Sequence, residues 1–563
     1  MYKEKIIQIF KSPAIADIFR WSRSVYLSII WICILNFIFS GSSLVITLST
    51  KGLIDGAVSH NAGQVKAYAG IMIMAILVIR LCSAVGSILN TKTGAILLKD
   101  MRSMVLRCLL SKQYASLHGY HSGELVNRMF SDVSVVKNGI MGIVPQLVSM
   151  AVSFIGAAVI LISMDWHFVV LLIVGGLLGL ALIVVFKTSM LSLHKAVQES
   201  EGRLHAILQE TLQNLRLIKA SGSEARMERQ ADLRQQDFLK VQLKRGYFSG
   251  GMNAAIGTLF QLSWLFCMLL GCIGIYKGML TYGSLAAIIQ LVGQIQGPIA
   301  SAADIASQAY GMISSAERLK ELLDLPEEEE NVKVSGQQLY QSLNKIRISD
   351  LSFNYGREAV LKNVNAEIYP GDFVAVTGLS GSGKSTLFQM LLGIYQPTAG
   401  KVEFCFSDRV EMASKHTRPL FAYVPQGNTL FSGTLRENLL LFTDSASEGE
   451  IRNAATAACI DSLIETLDRG LDTVLGERGI GLSEGQAQRV AVARALLSKA
   501  PILLLDESTS ALDEETEAKL LSNLNHMKEK TCFIVTHRKA ALGICDYRLQ
   551  IEDGRVTKRK ICL

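Results

Sequence analysis

Long apolar stretches set the strongest limit on what this chain can fold into. Five stretches contain no Asp, Glu, Lys or Arg, namely residues 25–50, 138–164, 166–186, 246–276 and 278–303. A sixth stretch, 67–91, is interrupted only by Arg80. Because a helix needs about 20 mostly apolar residues to cross a bilayer, each stretch is long enough to span one. The sequence therefore predicts six membrane-spanning helices, at residues 25–49, 67–90, 139–163, 166–187, 252–276 and 280–303.

Composition divides the chain into two parts. Charged residues make up 19% of the 563 residues, below the roughly 25% of soluble domains, which excludes a disordered chain and a fully soluble enzyme. Residues 1–330 carry 29 Lys and Arg against 22 Asp and Glu, whereas residues 331–563 carry 27 of each. The net charge of +7 thus belongs to the apolar part, where a cytoplasmic membrane surface accounts for it and a nucleic-acid partner is not needed.

Basic residues predict the orientation. They concentrate between spans two and three and between spans four and five, while the opposite side carries only Lys51, Lys66 and Lys277. Since Lys and Arg are enriched in cytoplasmic loops, both termini are expected in the cytoplasm. We expect the helices to extend into the cytoplasm, with short cross-pieces at Leu117–Gly123 and Gln213–Leu215.

Domain boundaries follow from these patterns. Residues 1–24 are predicted to form an interfacial helix, and residues 25–325 the membrane domain. Pro326 and the acidic run after it indicate a linker over 326–340. Residues 341–563 are predicted to form a soluble domain.

Three polar side chains within the spans are candidates for substrate contact. Arg80 is an intramembrane charge, and Gln290 and Gln294, four residues apart, share one helix face. The alternative is that all three are satisfied between helices or by water.

A phosphate-binding motif occurs near the start of the second part of the chain. The predicted buried strand Asp372–Val376 leads into Gly378-Leu379-Ser380-Gly381-Ser382-Gly383-Lys384-Ser385-Thr386, followed by a helical pattern. This is the G-x-x-x-x-G-K-[ST] motif in its strand–loop–helix setting. Backbone N–H groups would surround the phosphates, Lys384 would reach the β- and γ-oxygens, and the Ser385 hydroxyl would bind Mg²⁺.

A second strand pattern, Ile502–Leu505, ends in Asp506 and Glu507. Acids at this position suit a Mg²⁺ ligand, Asp506, and a base that orients the attacking water, Glu507. Leu482-Ser483-Glu484-Gly485-Gln486 lies between the two strands and opens a helix.

With these ordered motifs the chain resembles the ATP-binding cassette (ABC) transporters, of the exporter type that fuses one membrane domain to one ATPase cassette. The stretches Gly123–Arg128 and Leu215–Ala220 resemble those around the two coupling helices of such exporters. The resemblance implies a membrane domain of six long helices (type I exporter, or type IV ABC fold) and an α/β P-loop NTPase cassette with a helical subdomain.

The resemblance also implies roles for individual residues. Tyr355 resembles the tyrosine that stacks on adenine, Gln426 the Q-loop glutamine, and His537 the switch histidine. Gly476–Gly479 resembles an exporter loop and Ser510–Asp513 the D-loop. The implied ATP ligands are Tyr355, Gly378, Ser380, Gly381, Ser382, Gly383, Lys384, Ser385, Thr386 and Gln426. The implied catalytic residues are Glu507, His537, Gln426 and Lys384; the implied Mg²⁺ ligands are Ser385, Gln426 and Asp506.

A second chain completes the site in this family. Ser483, Glu484, Gly485, Gln486 and Asp513 would bind the ATP held by the partner's P-loop. Two positions depart from the common pattern: Glu484 stands where a second glycine is usual, and Val474 follows Thr473 where the family has Glu.

The implied function is ATP-driven export of a lipid, peptide or drug-like molecule by alternating access of a dimer, with ATP and Mg²⁺. The second half-transporter is expected to be another copy of this chain. The expected location is a bacterial inner membrane, with the ATPase domain in the cytoplasm. The alternatives are an importer on an exporter-like fold and an ATP-gated channel or regulator.

Overall fold

The computed structural model describes residues 13–328, 334–356, 359–443, 445–476, 481–527 and 529–561. The chain divides into two compact units, one of residues 1–109 and 122–324 and the other of residues 110–121 and 325–563. In chain order, the α-helices described up to residue 323 are α1 (Pro13–Trp21), α2 (Tyr26–Val58), α3 (Ala62–Ser111), α4 (Tyr114–Leu117), α5 (Ser122–Asn127), α6 (Val133–Met164), α7 (Trp166–Gln213), α8 (Leu215–Ser221), α9 (Glu224–Tyr276) and α10 (Tyr282–Leu323).

Six of these helices are long and overlap the six predicted spans: α2, α3, α6, α7, α9 and α10 run for 32 to 53 residues. Four helical stretches among the described residues are long and apolar enough to cross a membrane: Arg23–Val58, Ala62–Ser111, Ser122–Met164 and Glu224–Tyr276. A span count of six therefore stays a prediction.

Apolar side chains cover much of the outer surface of these helices. Leu27, Leu81 and Ile88 are each more than 60% exposed. Surface of this kind is unfavourable in water but matches hydrocarbon, where a helix also satisfies its own backbone hydrogen bonds.

Two short helices mark the cross-pieces, at positions slightly different from those predicted. The first helix is α4, and the residues predicted at Leu117–Gly123 form its last residue, the following turn and the start of α5. The second is α8, which begins after Asn214 and ends at Gly222 in a left-handed conformation. Each predicted cross-piece thus overlaps one end of a short helix and the turn beside it.

The N-terminal helix α1 packs on its own unit. Ala14 and Ile18 are buried in a core with Leu97, Met101 and Leu319. Residues 1–12 of the predicted interfacial helix lie outside the described part, and its interfacial role stays a prediction.

A buried ionic cluster lies within the first unit where a π-helical turn, Arg128–Asp132, joins α5 to α6. Asp132 is 3% exposed and accepts hydrogen bonds from Arg318 Nε and Ser315 Oγ, both at 3.0 Å. Arg128 donates to Glu321 at 3.1 Å. The cluster joins the start of α6 to the C-terminal part of α10.

The described residues of the second unit form three β-sheets and further helices. The strands are β1 (Leu343–Asn354), β2 (Ala359–Ile368), β3 (Phe373–Gly378), β4 (Ala399–Phe406), β5 (Val410–Met412), β6 (Phe421–Val424), β7 (Gly433–Thr434), β8 (Val474–Leu475), β9 (Ile502–Asp506), β10 (Thr531–Val535), β11 (Tyr547–Glu552) and β12 (Arg555–Lys560). The helices are α11 (Gly336–Gln341), α12 (Lys384–Leu391), α13 (Leu435–Leu439), α14 (Glu448–Ala457), α15 (Asp461–Thr466), α16 (Glu484–Leu497), α17 (Glu514–Asn525) and α18 (Lys539–Leu542).

A six-stranded sheet forms the centre of this unit, in the order β12-β11-β3-β10-β9-β6. Strands β11, β3, β10, β9 and β6 are parallel, and β12 is an antiparallel edge strand. Every residue of β9 and β10 is buried, as expected for parallel strands covered on both faces. A four-stranded antiparallel sheet, β2-β1-β4-β5, and the small pair β7-β8 complete the unit.

We predict that Asp132→Ala destabilises the chain by about 2 kcal/mol, because Arg318 and Ser315 lose a buried acceptor. The measurement is the thermal unfolding midpoint of the purified protein in detergent. Asp304→Ala, at an exposed position of α10, the helix that carries Ser315 and Arg318, is the matched control. Equal midpoints for the two variants would contradict a stabilising role for the cluster.

Candidate functional site

The carboxyl ends of four parallel strands bring the predicted catalytic residues to one edge of the sheet. β10 lies between β3 and β9, with Val535 paired to Val376 on one side and to Asp506 on the other. His537 follows β10, the P-loop follows β3, and Gln426 follows β6, which pairs with β9. In sheets of this type, ligands bind in the crevice outside the carboxyl ends of the strands.

Glycines in the phosphate-binding loop (the P-loop, Gly378–Thr386) adopt backbone conformations that other residues rarely adopt. Gly378 and Gly383 have φ values of +154° and +103°, where a side chain is strained. A Cβ on Gly378 would lie 2.5 Å from the Ile551 carbonyl oxygen. Ser382 Oγ is buried and has no hydrogen-bond partner among the described residues. An orphaned hydroxyl in a loop of this shape fits a phosphate oxygen as its acceptor.

Lys384 opens helix α12 and is 6% exposed. Its ammonium donates to the Gly378 carbonyl at 2.9 Å and to the Leu379 carbonyl at 3.1 Å. Its Nζ also lies 3.8 Å from Glu507 Oε1. The cation is therefore held within the loop, close to the acid proposed from the sequence as the base.

Glu507 has a left-handed backbone, with φ at +50°, a conformation that costs an L-residue about 1–2 kcal/mol. Its Oε2 accepts a hydrogen bond from Gln426 Nε2 at 2.7 Å. This contact joins two residues that are 81 positions apart in the sequence. The hydrogen bond holds the carboxylate at the sheet edge despite this strain.

Asp506, next to Glu507, is 2% exposed. Burial raises the pKa of its carboxyl above the usual range, and the charge of Glu507 raises it too, while a hydrogen bond with Ser385 lowers it. A nearby cation would stabilise the ionised form. Because a hydroxyl and a carboxylate are oxygen ligands that Mg²⁺ accepts, Ser385 and Asp506 fit this ion.

Tyr355 lies in an aromatic cluster that the sequence did not reveal. Its ring makes edge-on contacts with Phe353 and Tyr395, at centroid distances of 4.8 and 5.6 Å. The ring of His118 lies 6.1 Å away. Tyr355 is 48% exposed, and its hydroxyl donates to Gln389 Oε1 at 3.0 Å, which anchors an accessible ring for stacking.

The residues expected to act on the partner's nucleotide make local contacts in this chain. Ser483 caps α16, since its Oγ accepts from the Gln486 N–H at 3.2 Å and Gln486 Oε1 accepts from the Ser483 N–H at 2.8 Å. Asp513 caps α17 through the Thr516 N–H at 2.9 Å, which lowers the pKa of its carboxyl. Glu484 is exposed in the first turn of α16, where a negative charge suits the helix dipole.

Gly485 lies where the backbone of another segment approaches closely. A Cβ at this position would lie 2.7 Å from the Ala511 carbonyl oxygen of the predicted D-loop. The two segments can therefore approach this closely only while position 485 has no side chain.

Two arginines that sequence reasoning did not assign support the site. Arg494 is buried on α16 and donates to the Thr429 hydroxyl at 2.8 Å, three positions after Gln426. Arg538, beside His537, donates to the carbonyls of Leu512 and Ser510, both at 2.9 Å. A charged residue inside an apolar helix was the available signal for Arg494.

The remaining predicted positions are placed as follows. His537 is exposed, as are Arg80 and Gln290 on their helices. Gln294 is half-buried, and its amide donates to Thr47 Oγ1 at 3.0 Å, so it links α10 to α2. In the predicted exporter loop, positions 477–479 lie outside the described residues.

Comparisons with known proteins all match ABC transporters. A family model described as "ABC transporter transmembrane region" matches residues 29–299, and one described as "ABC transporter" matches residues 361–510. The uncharacterized ABC transporter ATP-binding protein YfiB of Bacillus subtilis (strain 168) is 31% identical over 82% of this chain and 80% of its own length.

Two further relatives carry functional names. The multidrug resistance ABC transporter ATP-binding and permease protein of Lactococcus lactis subsp. lactis (strain IL1403) is 27% identical over 84% of this chain and 80% of its own length. The ATP-dependent lipid A-core flippase of Desulfotalea psychrophila (strain LSv54 / DSM 12343) is 29% identical over 84% of this chain and 82% of its own.

A solved structure shows the same fold. The structure of a bacterial Atm1-family ABC exporter with ATP bound superimposes with a TM-score of 0.79, at 22% identity and over 95% of both chains. The predicted fold class, a helical membrane domain fused to a P-loop cassette, is thereby confirmed.

We predict that Gly485→Ala lowers the ATPase kcat at least tenfold, because α16 and the D-loop must separate to admit the methyl group. Phosphate release by the purified protein measures this. Gly449→Ala is the control, since a Cβ there meets only Ser447 Oγ, at 4.0 Å. If both variants keep wild-type turnover, the close approach at Gly485 does not matter for activity.

Proposed function

The chain belongs to the ABC transporter family, as an exporter that couples ATP hydrolysis to transport, and we propose that the sheet-edge residues of its second unit form the nucleotide site that drives this export. The observation that carries the proposal is the grouping of Lys384, Gln426 and Glu507. Glu507 Oε2 lies 2.7 Å from Gln426 Nε2, and Glu507 Oε1 lies 3.8 Å from Lys384 Nζ. A cation, an amide and a carboxylate beside a P-loop suit phosphoryl transfer to water.

Each residue has a distinct part in this proposal. Tyr355 stacks on adenine, and the P-loop N–H groups with Lys384 bind the phosphates. Glu507 accepts a hydrogen bond from the attacking water and orients it, with Gln426 holding the carboxylate in place. His537 donates a hydrogen bond to the γ-phosphate. Most of the catalytic effect then comes from positioning and charge stabilisation.

Mg²⁺, when bound, would neutralise charge on the phosphate oxygens. Ser385 and Asp506 are the proposed ligands, because the hydroxyl that follows Lys384 and the buried carboxylate at the end of β9 are oxygen ligands of the kind that Mg²⁺ accepts. Gln426 is the third proposed ligand, through its amide oxygen, whereas its nitrogen faces Glu507.

Half-size exporters of this family generally work as dimers, and we propose that two copies of this chain form one. Each chain has one P-loop and one Ser483–Gln486 segment. In the proposed dimer, Ser483, Glu484, Gly485, Gln486 and Asp513 of one copy close over the ATP on the other. The N-terminal end of α16, with its capping serine, offers N–H groups to a phosphate.

The substrate is proposed to be a lipid-like or drug-like molecule. The names of the relatives support this class, since one is a multidrug resistance transporter and another a lipid A-core flippase. Arg80, Gln290 and Gln294 are the proposed contacts. The proposed location is a bacterial inner membrane with both termini and the ATPase domain in the cytoplasm, in line with the basic segments between the spans.

We predict that Glu507→Gln lowers kcat for ATP hydrolysis by at least about 100-fold while ATP still binds, because the amide keeps the shape but accepts a proton poorly. Phosphate release and binding of a fluorescent ATP analogue measure the two effects. Glu514→Gln, an exposed acid in the first turn of α17, should behave as wild type. Wild-type turnover in Glu507→Gln would remove Glu507 from the mechanism.

The proposed dimer predicts a mass and a pattern of activity in mixed variants. Light scattering in detergent should give the protein mass of two 61.5 kDa chains. Mixed dimers of a Lys384→Ala chain with a Ser483→Arg chain should recover ATPase activity that neither variant shows alone, because one composite site is then intact. Turnover by a species of one-chain mass would contradict the shared site.

A further inference from the structure

The acidic run after Pro326 is not an open linker where the structure describes it. The Gln113 N–H donates to the Pro326 carbonyl at 3.0 Å, and the Glu328 N–H donates to the Ser111 carbonyl at 2.8 Å. Both segments belong to the second unit. Two backbone bonds thus hold the start of the linker against the residues that lead into helix α4.

Side chains reinforce this pairing. Lys112 and Glu327 face each other across an antiparallel bridge, and Lys112 Nζ lies 2.9 Å from Glu327 Oε1. The Lys112 side chain is 2% exposed. Because a buried ammonium needs an opposite charge or hydrogen-bond acceptors, Glu327 favours the paired arrangement over a loose one.

Glu328 makes the second connection, to the cassette itself. Its two carboxylate oxygens accept from the two terminal nitrogens of Arg418, at 2.9 and 2.7 Å. The Glu328 side chain is 13% exposed. A bidentate pair of this kind fixes orientation as well as distance.

Arg418 also binds the far end of the P-loop helix. Its Nε donates to the Leu392 carbonyl at 2.9 Å, and its NH2 group donates to the Gly393 carbonyl at 3.0 Å. These carbonyls lie just after α12, the helix that begins at Lys384. The last carbonyls of a helix lack partners within it and favour a cation.

We propose that Glu328 is a positioning residue that, through Arg418, ties the P-loop helix to the segment leading into α4 and to the linker. Two of the chain crossings between the units, at 109–110 and 324–325, lie next to these paired segments. Movement of α12 when ATP binds would then be passed to both. The inference rests on the proposed nucleotide site and adds the route by which that site acts on the rest of the chain.

Hydrogen–deuterium exchange of the full-length protein in detergent tests the proposal, with MgATP as the probe. In the wild type, MgATP should change exchange in residues 110–121. In Glu328→Gln this change should fall to less than a third, and kcat should drop about fivefold with the KM for ATP within twofold. Glu328→Asp, which keeps the charge, should restore at least half of the response.

The control is Glu450→Gln. Glu450 pairs with Lys499 and accepts a capping hydrogen bond from the Ser447 N–H, which a glutamine side chain can also accept. It should respond to MgATP as the wild type does. The inference is overturned if MgATP changes the exchange of residues 110–121 in Glu328→Gln as much as in the wild type. It is also overturned if this change is no larger in Glu328→Asp than in Glu328→Gln. If Glu328→Gln does not fold, Arg418→Lys takes its place, since lysine loses the bidentate contact, with the same expected loss. A wild-type protein that hydrolyses no ATP would instead contradict the proposed function.

Discussion

The pairing of one buried strand organises the second unit. β10 bonds to β3 on one side and to β9 on the other, and all its residues are buried. Parallel strands end at the same edge, so this pairing places the loop after each strand beside the others. The polar groups then face a common crevice while the strands stay in an apolar core.

The same strand order brings charged side chains together at that crevice. Lys384, after β3, brings one buried cation among carbonyls, and Asp506 and Glu507 bring two acids from the end of β9, on the other side of β10. Burial and mutual repulsion disfavour two ionised acids side by side, as the raised pKa of Asp506 indicates. The edge is thus suited to a ligand that brings phosphate charge together with a metal cation. Arg494 donates hydrogen bonds to the Thr429 carbonyl and hydroxyl. Arg538 donates to two backbone carbonyls and to the buried Glu517 carboxylate, so both arginines hold the loops in place.

Features that depend on residues close together in the sequence could be predicted from the sequence. The P-loop and the strand before Asp506 follow from spacing and hydrophobicity, the family and the fold class follow from the resemblance that these motifs carry, and the six apolar stretches overlap six long helices. Contacts between distant segments were not predictable, because they depend on strand order and helix packing. The bond between Gln426 and Glu507, the Asp132 cluster and the Glu328–Arg418 pair are of this kind. The acidic run after Pro326 shows the difference most clearly: its composition is that of a solvated break, yet two of its acids have basic partners in the folded chain.

The left-handed backbone of Glu507 has an evolutionary consequence. A glycine or asparagine would adopt this conformation with less strain, so the chain would gain stability by losing its proposed base. Stability and turnover are therefore opposed at this one position, and substitutions that relieve the strain would accumulate in any copy released from selection for hydrolysis. A duplicated chain of this kind would be expected to lose its base before it loses its fold, and to persist as a stable partner that binds nucleotide without consuming it.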